Sequence, residues 1–249
     1  MISCKLQGGL GNYMFQIGAI CSLASTTGYI FDIENTAQVH KNIKTYLPNL
    51  FRNVNFSSSE FQYYYNEPSF SYNELPKENN ILFNGYFQSE KYLCRNTILD
   101  LYSIDKTSKK YINSKYKDII PNSISVHVRR GDYLNKQDRH PVQSINYYNL
   151  AMEHFNNFNK FIIFSDDIEW CKNNFIGDQF VFIEGEEDYI DLWLMSLCTH
   201  NIIANSSFSW WGAWLNKNPN KKVIAPSNWF GENKKLDTKD LYCKNWIII

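Results

Sequence analysis

Ser123-Ile124-Ser125-Val126-His127-Val128-Arg129-Arg130-Gly131-Asp132 is the stretch that decides how this chain folds. Ile124, Val126 and Val128 alternate with small or polar residues, a period of two that predicts a strand. The strand stops at two arginines, a glycine and an aspartate. The same grammar recurs downstream. Tyr147 to Phe155 has helical spacing, and Phe161-Ile162-Ile163-Phe164 reads as a buried strand ending in Ser165-Asp166-Asp167. Ile168 to Asn174 predicts a helix, Phe180-Val181-Phe182-Ile183 a strand, and Asp188 to Cys198 a helix. Ile202-Ile203-Ala204 predicts a strand ending in Asn205-Ser206-Ser207, Ser209 to Asn216 a helix, and Val223-Ile224-Ala225 a last strand before Pro226. Strands that alternate with helices predict a parallel sheet with helices on its faces.

Upstream, Ile2 to Leu6 predicts a strand, Gly8-Gly9-Leu10-Gly11-Asn12 a turn, and Met14 to Ala24 a helix that Gly28 terminates. Tyr29 to Ile33 predicts a second strand. Residues 35 to 80 are polar and aromatic with three prolines and carry no firm element. Ile81 to Phe87 predicts a strand with a turn, followed by a helix from about Ser89. The lysine-rich stretch 105–120 reads as an exposed helix or linker. Two α/β domains facing a cleft are therefore expected, 1–115 and 116–249.

Composition narrows the function. Apolar residues make up 44% of the 249 and aromatics 16%, enough for a sizeable core. Lys+Arg and Asp+Glu balance at 25 each, so no net field draws the chain to nucleic acid or anionic lipid. Any anion site must be local. The six cysteines form no C-x-x-C pair, and the dispersed histidines form no H-x-x-x-H pair, which argues against zinc sites. No secretory signal opens the chain, and no window reaches the about 20 apolar residues of a membrane span. Reduced, buried thiols and a cytoplasmic location are expected.

In open α/β sheets ligands bind beyond the carboxyl ends of the strands. Four predicted strands end in polar clusters: His127 to Asp132, Ser165-Asp166-Asp167, Glu184-Gly185-Glu186-Glu187, and Asn205 to Ser209. Adjacent guanidiniums suit a diphosphate, because the planar fork makes paired charge-assisted bonds. A structural ion pair with Asp132 is the plainer reading. Hydroxyls before a helix make either an N-cap or an anion site. Asp166 and Asp167, being adjacent, point apart; they suit a helix cap and the N–H groups of a purine better than a metal. The glycines at 8, 9 and 11 match neither dinucleotide nor P-loop spacing.

Gly8 to Gln16 (GGLGNYMFQ), His127 to Tyr133 (HVRRGDY) and Asn205 to Trp214 (NSSFSWWGAW) together resemble the signature blocks of glycosyltransferase family 11, the α-1,2-fucosyltransferases of bacterial type. Gly85 to Tyr92 (GYFQSEKY), Phe164 to Asp167 and Val223 to Pro226 fit as well. The resemblance implies a GT-B fold of two Rossmann-like domains, with the acceptor mainly on the first and the donor, GDP-fucose, mainly on the second. It implies inverting transfer of L-fucose to the 2-hydroxyl of a galactose-terminated oligosaccharide, with no metal and no cofactor. Carried across, Arg129 or Arg130 holds the diphosphate, and His127 and Asp167 line the guanosine. Ser206, Ser207, Phe208 and Ser209 cradle phosphate. Gly9, Gly11 and Asn12 lie near the diphosphate and acceptor. Asp132 is a candidate base, though its two arginine neighbours suit a structural role better. Tyr13 replaces the family's usual Gln, and the first domain is short. Transfer of another GDP-sugar, protein O-fucosylation, and a glycan- or nucleotide-binding module without catalysis are the alternatives. A membrane-borne acceptor would be met by peripheral contact, without a span.

Overall fold

The computed structural model describes residues 1–34, 43–57, 59–155 and 160–249. His40 and the rest of the polar stretch 35–42 lie outside them. The chain forms two compact units, Met1–Lys106 with Asp237–Cys243, and Thr107–Leu236 with Lys244–Ile249.

In the first unit β1 (Ile2–Cys4) leads through a glycine turn into α1 (Leu10–Thr27). Helix α1 is apolar nearly all round, and such a helix stabilises only when covered on most sides. It packs against β1 and α3 (Arg95–Leu101). Gly28 ends it in the left-handed region at φ +74°, donating its N–H to Ala24 O. The strand expected over Tyr29–Ile33 is not formed. Ile30 is 72% exposed, so only a bridge at Phe31 and the short β2 (Ile33–Glu34) remain. A single-turn α2 (Ile43–Tyr46) and β3 (Phe56–Ser57) follow, and β3 pairs with β2. Two further strands, β4 (Tyr63–Asn66) and β5 (Ile81–Asn84), complete a parallel sheet of order β1-β5-β4. Edge strand β4 was not expected from the sequence, because a run of exposed tyrosines carries no buried face to read.

The second unit opens with α4 (Lys106–Tyr116). Tyr111, Lys115 and Tyr116 all reach the carboxylate of Glu186, which groups residues 107–115 with this unit rather than with the first. The sheet strands are β6 (Ile124–Val128), β7 (Phe161–Ser165), β8 (Phe180–Phe182), β9 (His200–Ile202), β10 (Val223–Ala225) and β11 (Ile247–Ile248). The intervening helices are α5 (Ile145–Glu153), α6 (Ile168–Asn174), α7 (Asp188–Leu197) and α8 (Ser207–Leu215). All pairings are parallel, in the order β8-β7-β6-β9-β10-β11. The chain builds outward from β6 to β8, then returns to the other side of β6 with β9. That reversal is a topological switch point.

Strand β9 starts two residues before the apolar run that predicts it. Asn201 is wholly buried, and its side chain donates to Ser125 Oγ at 2.7 Å and Met195 O at 2.8 Å while accepting from Asn216. A satisfied amide network lets polar residues occupy a central strand. Strand β11 is two residues long and was not expected; it pairs beside β10 through Ile224↔Ile247 and Ala225↔Ile248. None of the six cysteines is bridged, and Cys4, Cys21, Cys171 and Cys198 are buried. Trp210, Trp211 and Trp214 are core residues, as their spacing beside Ala213 and Leu215 implied. No helix among the described residues is long and apolar enough to cross a membrane.

Candidate functional site

At the switch point β6 ends in Val128 and the chain continues as Arg129-Arg130-Gly131-Asp132, a short 3-10 turn over Gly131–Asn135. Strand β7 ends in Ser165, and Asp166 and Asp167 follow it. The register places Val128 beside Ser165, so both polar clusters emerge from the same edge. Asp166 Oδ1 accepts from the backbone N–H of Arg130 at 2.9 Å, tying one strand end to the other. This approach is tight. A Cβ on Gly131 would stand 2.4 Å from Asp166 Oδ2, so any larger residue there must displace the Asp166 carboxylate.

The two arginines are held differently. Arg130 donates from Nε to Asp167 Oδ2 at 2.9 Å, and its guanidinium lies 4.1 Å over the Trp170 ring. Its side chain is 16% exposed. Asp167 also caps α6 by accepting from Trp170 N at 3.3 Å. Arg130, Asp167 and Trp170 thus form a closed set that fixes the start of α6. Arg129 is spread between Asp166 Oδ2 at 2.7 Å and Asp132 Oδ1 at 2.5 Å, with its guanidinium 5.2 Å over Tyr133. It remains 34% exposed. A guanidinium has five N–H donors, so two carboxylates leave donors available to an anion. Asp132 also pairs with Lys136 at 2.9 Å. Burial raises the Asp132 pKa, but the Lys136 bond and the Arg129 charge outweigh it and the net shift is downward. That suits a fixed counter-ion better than a proton acceptor.

His127 is 5% exposed, and its ring centroid lies 5.4 Å from that of Phe208. Burial, reinforced by the Arg129 charge, pushes its pKa down to about 3, so the imidazole is neutral at physiological pH. Nδ1 is buried without a hydrogen-bond partner. A buried ring nitrogen left unsatisfied costs free energy unless something meets it.

From the other side of the switch point, Ala204-Asn205-Ser206 leads from β9 into α8. Asn205 Nδ2 donates to Pro141 O at 2.9 Å and Trp229 O at 3.1 Å, and Oδ1 is buried without a partner. Ser206 is the N-cap of α8, accepting from Phe208 N at 3.3 Å. Ser209 is wholly buried and bonds back to Ala204 O and Ser206 O. Ser207 and Phe208 are half-buried. The four residues therefore divide: Ser206 and Ser209 shape the helix start, while Ser207 and Phe208 are only partly covered. The helix end adds partial positive charge.

These residues form one cluster in the second unit. Gly9, Gly11 and Asn12 belong to the first. Gly9 is the N-cap of α1, Gly11 is buried in its first turn, and Asn12 Oδ1 accepts from Gln88 Nε2 at 2.7 Å. Two further residues escaped the sequence reading. Trp170, one turn into α6, is the ring beneath Arg130. Asp191 lies on α7 between Ile190 and Leu192; burial, with Glu186 and Asp188 nearby, raises its pKa to about 8. An acid inside an apolar helical run was its signal.

A parallel sheet of order β8-β7-β6-β9-β10-β11, with a guanidinium and a hydroxyl-bearing helix start at its switch point, has the topology of a Rossmann-type unit. The protein is of the α/β, GT-B-like class. The sequence pattern described as Glycosyl transferase family 11 matches residues 1–249, and the chain belongs to that family. An Escherichia coli alpha-1,2-colitosyltransferase is 32% identical over all of this chain and 99% of its own length. The O-antigen biosynthesis glycosyltransferase WbnK of E. coli is also 32% identical, over 99% of each chain. Human galactoside alpha-(1,2)-fucosyltransferase 1 is 33% identical over 37% of this chain and 28% of its own. Among solved structures, the NodZ alpha-1,6-fucosyltransferase soaked with GDP-fucose superimposes with a TM-score of 0.55 at 13% identity, covering 86% of this chain and 92% of the other. That likeness speaks for the fold.

Proposed function

We propose that the chain moves a 6-deoxyhexose from a GDP-linked donor, GDP-fucose in the first instance, to the 2-hydroxyl of a galactoside, with inversion and without a metal. The observation that carries this is Arg129, partly exposed just beyond the carboxyl end of β6, with the half-buried Ser207 and Phe208 opening α8 beyond the neighbouring strand β9. The acceptor oxygen attacks the anomeric carbon as the bond from that carbon to the β-phosphate oxygen breaks. The electron pair leaves with GDP, and the acceptor proton passes to a base. Charge grows on the β-phosphate during departure. A guanidinium already fixed by Asp132 and Asp166 stabilises that charge without reorganising. Neutral His127 and the unpartnered Asn205 Oδ1 offer the nucleoside hydrogen-bonding capacity without charge.

The relatives favour a second donor. Colitose is L-fucose without its 3-hydroxyl, and one 32%-identical relative carries the colitosyltransferase name. The two donors differ by one hydroxyl. A site built to bond that hydroxyl discriminates by up to about 10⁴–10⁵, whereas an apolar pocket discriminates by about 10². Nucleoside-diphosphate release in EDTA, from GDP-fucose, GDP-colitose, GDP-mannose and UDP-galactose with β-galactosides as acceptors, tests the reading. Galactoside-dependent release from a GDP-6-deoxyhexose supports it. Release only with added divalent metal, or only from UDP-galactose, would refute it.

A further inference from the structure

The guanidinium of Arg129 rests on a ring that is itself held. Tyr133 lies 5.2 Å from it, and the Tyr133 hydroxyl donates to Asn205 O at 3.2 Å, which ties the turn after β6 to the segment between β9 and α8. His140 stacks on the Tyr133 ring, with centroids 5.0 Å apart and planes 29° from parallel. Phe230 follows, 6.0 Å from the imidazole. Lys234 lies 4.9 Å over the Phe230 ring, and its Nζ is 3.4 Å from His140 Nε2. Tyr133, His140, Phe230 and Lys234 are all half-buried. An unbroken chain of side-chain contacts therefore runs from Arg129 to Phe230 and Lys234.

The far end of this chain is fixed by backbone. Stretches 138–143 and 228–233 run side by side. Gly231 N donates to Arg139 O and Asn233 N to Asp138 O, each at 3.0 Å. Asn205 Nδ2 joins the two stretches by donating to both Pro141 O and Trp229 O. A Cβ on Gly231 would stand 2.3 Å from Asp138 O, and main chain cannot turn aside as a flexible side chain can. Ordinary aromatic packing ends in a core. This packing ends on a partly exposed guanidinium, and its middle member titrates.

Burial and then the Lys234 charge lower the His140 pKa from its ordinary 6.5; Lys136 and Arg139 act in the same direction, and Asp132 opposes them. Asp138 is engaged by Asn233, and Glu232 on the facing turn is exposed. The imidazole is therefore neutral at pH 7 and can accept from Lys234. Once protonated it has only donors to set against the ammonium. A group whose folded pKa lies below its unfolded value contributes fully above that value and loses the contribution as pH falls past it. The stack is thus firm at neutral pH and slackens as pH falls below 6.5.

We propose that His140, acting through Tyr133, is a positioning residue for the Arg129 guanidinium, braced by the paired stretches 138–143 and 228–233. Its bearing on turnover rests on the transferase reading; the coupling of His140 to Arg129 does not.

The coupling is read without any ligand, from the Arg129 Nε–Hε resonance of the whole chain in nitrogen-15 NMR, identified by its loss in Arg129→Lys. As pH falls from 8 to 5.5 this resonance is expected to move in step with the His140 ring proton. His140→Phe keeps a stacking ring and removes the titration, so there the resonance is expected to stay in place. The Arg130 resonance, held by Asp167, is expected to stay in both proteins. In turnover at pH 7.5, His140→Ala is expected to lower kcat about tenfold with acceptor KM unchanged, and His140→Phe to restore it. Between pH 7.5 and 5.5 the wild-type kcat is expected to fall more than that of His140→Phe. Melting temperatures accompany every variant. Should His140→Ala melt early, Phe230→Leu loosens the same stack from its other end and is expected to lower kcat likewise. An Arg129 resonance that ignores the His140 titration, or that follows one profile in wild type and His140→Phe alike, overturns the proposal whether or not sugar is transferred. Coupling without transfer from any GDP-sugar would remove the transferase reading and leave the positioning role standing.

Discussion

Two arginines adjacent in sequence carry different loads, and the difference is testable residue by residue. Arg130 is closed off by Asp167 and Trp170, whereas Arg129 keeps donors toward open space. Arg129→Ala is expected to lower kcat by about 10²–10³ with little change in melting temperature. Arg130→Ala is expected to lower stability by about 1–2 kcal/mol through the lost cation–π and ionic contacts, and activity only secondarily. Steady-state kinetics beside thermal melts separate the two; equal kinetic losses with equal melts would contradict the division. Asp191 has its own pH signature. Its folded pKa of about 8 lies far above the unfolded carboxylate value, so between these values the unfolded state loses its proton while the folded state keeps it. Stability from this residue is therefore full at acid pH and falls as pH rises toward 8. Asp191→Asn is expected to gain roughly 4 kcal/mol over wild type in going from pH 5 to pH 8.5, read from urea midpoints. A difference independent of pH would show that the carboxyl ionises freely.

At the level of elements, the junctions matter more than the bodies. Ser206 caps α8, and Ser206→Ala is expected to cost about 1 kcal/mol. Gly131→Ala strikes another junction, since the new Cβ meets Asp166, which holds Arg129 and the Arg130 backbone. It is expected to reduce kcat about as much as Arg129→Ala while leaving most of the fold, by circular dichroism, intact; full activity would mean that Asp166 is not needed to aim the guanidinium. Strand β6 was legible from its period-two alternation, and β7, β8 and β10 from short continuous apolar runs with abrupt ends. Strand β4 was illegible because Tyr63 and Tyr64 face solvent, and β11 because two residues carry no period. Strand β9 was misplaced by the buried Asn201, whose hydrogen bonds replace the hydrophobicity that a sequence reading looks for. The strand-end clusters named Arg129, Asp167 and Ser206 as candidates. They did not show which guanidinium is boxed in, because Trp170 and Asp166 meet the arginines only through the β6–β7 register.

For the whole molecule, the sequence boundary near 115 missed that the chain changes unit again near its end. Asp237–Cys243 belongs to the first unit, where Asp237 accepts from Ser71 and Asp240 from Tyr72 N and Lys91. Lys244–Ile249 then returns to the second, adding β11 and placing Trp246 5.5 Å from Trp210. No periodicity announces such a crossing. It has a measurable consequence, because all seven tryptophans, at 170, 193, 210, 211, 214, 229 and 246, lie in the second unit. Tryptophan fluorescence therefore follows the unfolding of the unit that carries Arg129 and α8, while far-ultraviolet circular dichroism follows both. A ligand that binds only the folded form stabilises it by about 2.7 kcal/mol at one hundred times its Kd. GDP at that concentration is expected to raise the fluorescence-detected urea midpoint accordingly. A chain ending at Cys243 lacks β11 and Trp246 but keeps the first unit's segment, so its fluorescence midpoint is expected to fall and its GDP response to shrink. Its dichroism should retain a component with the wild-type midpoint. An unchanged fluorescence midpoint in saturating GDP would remove the donor from the second unit and, with it, the assignment of Arg129.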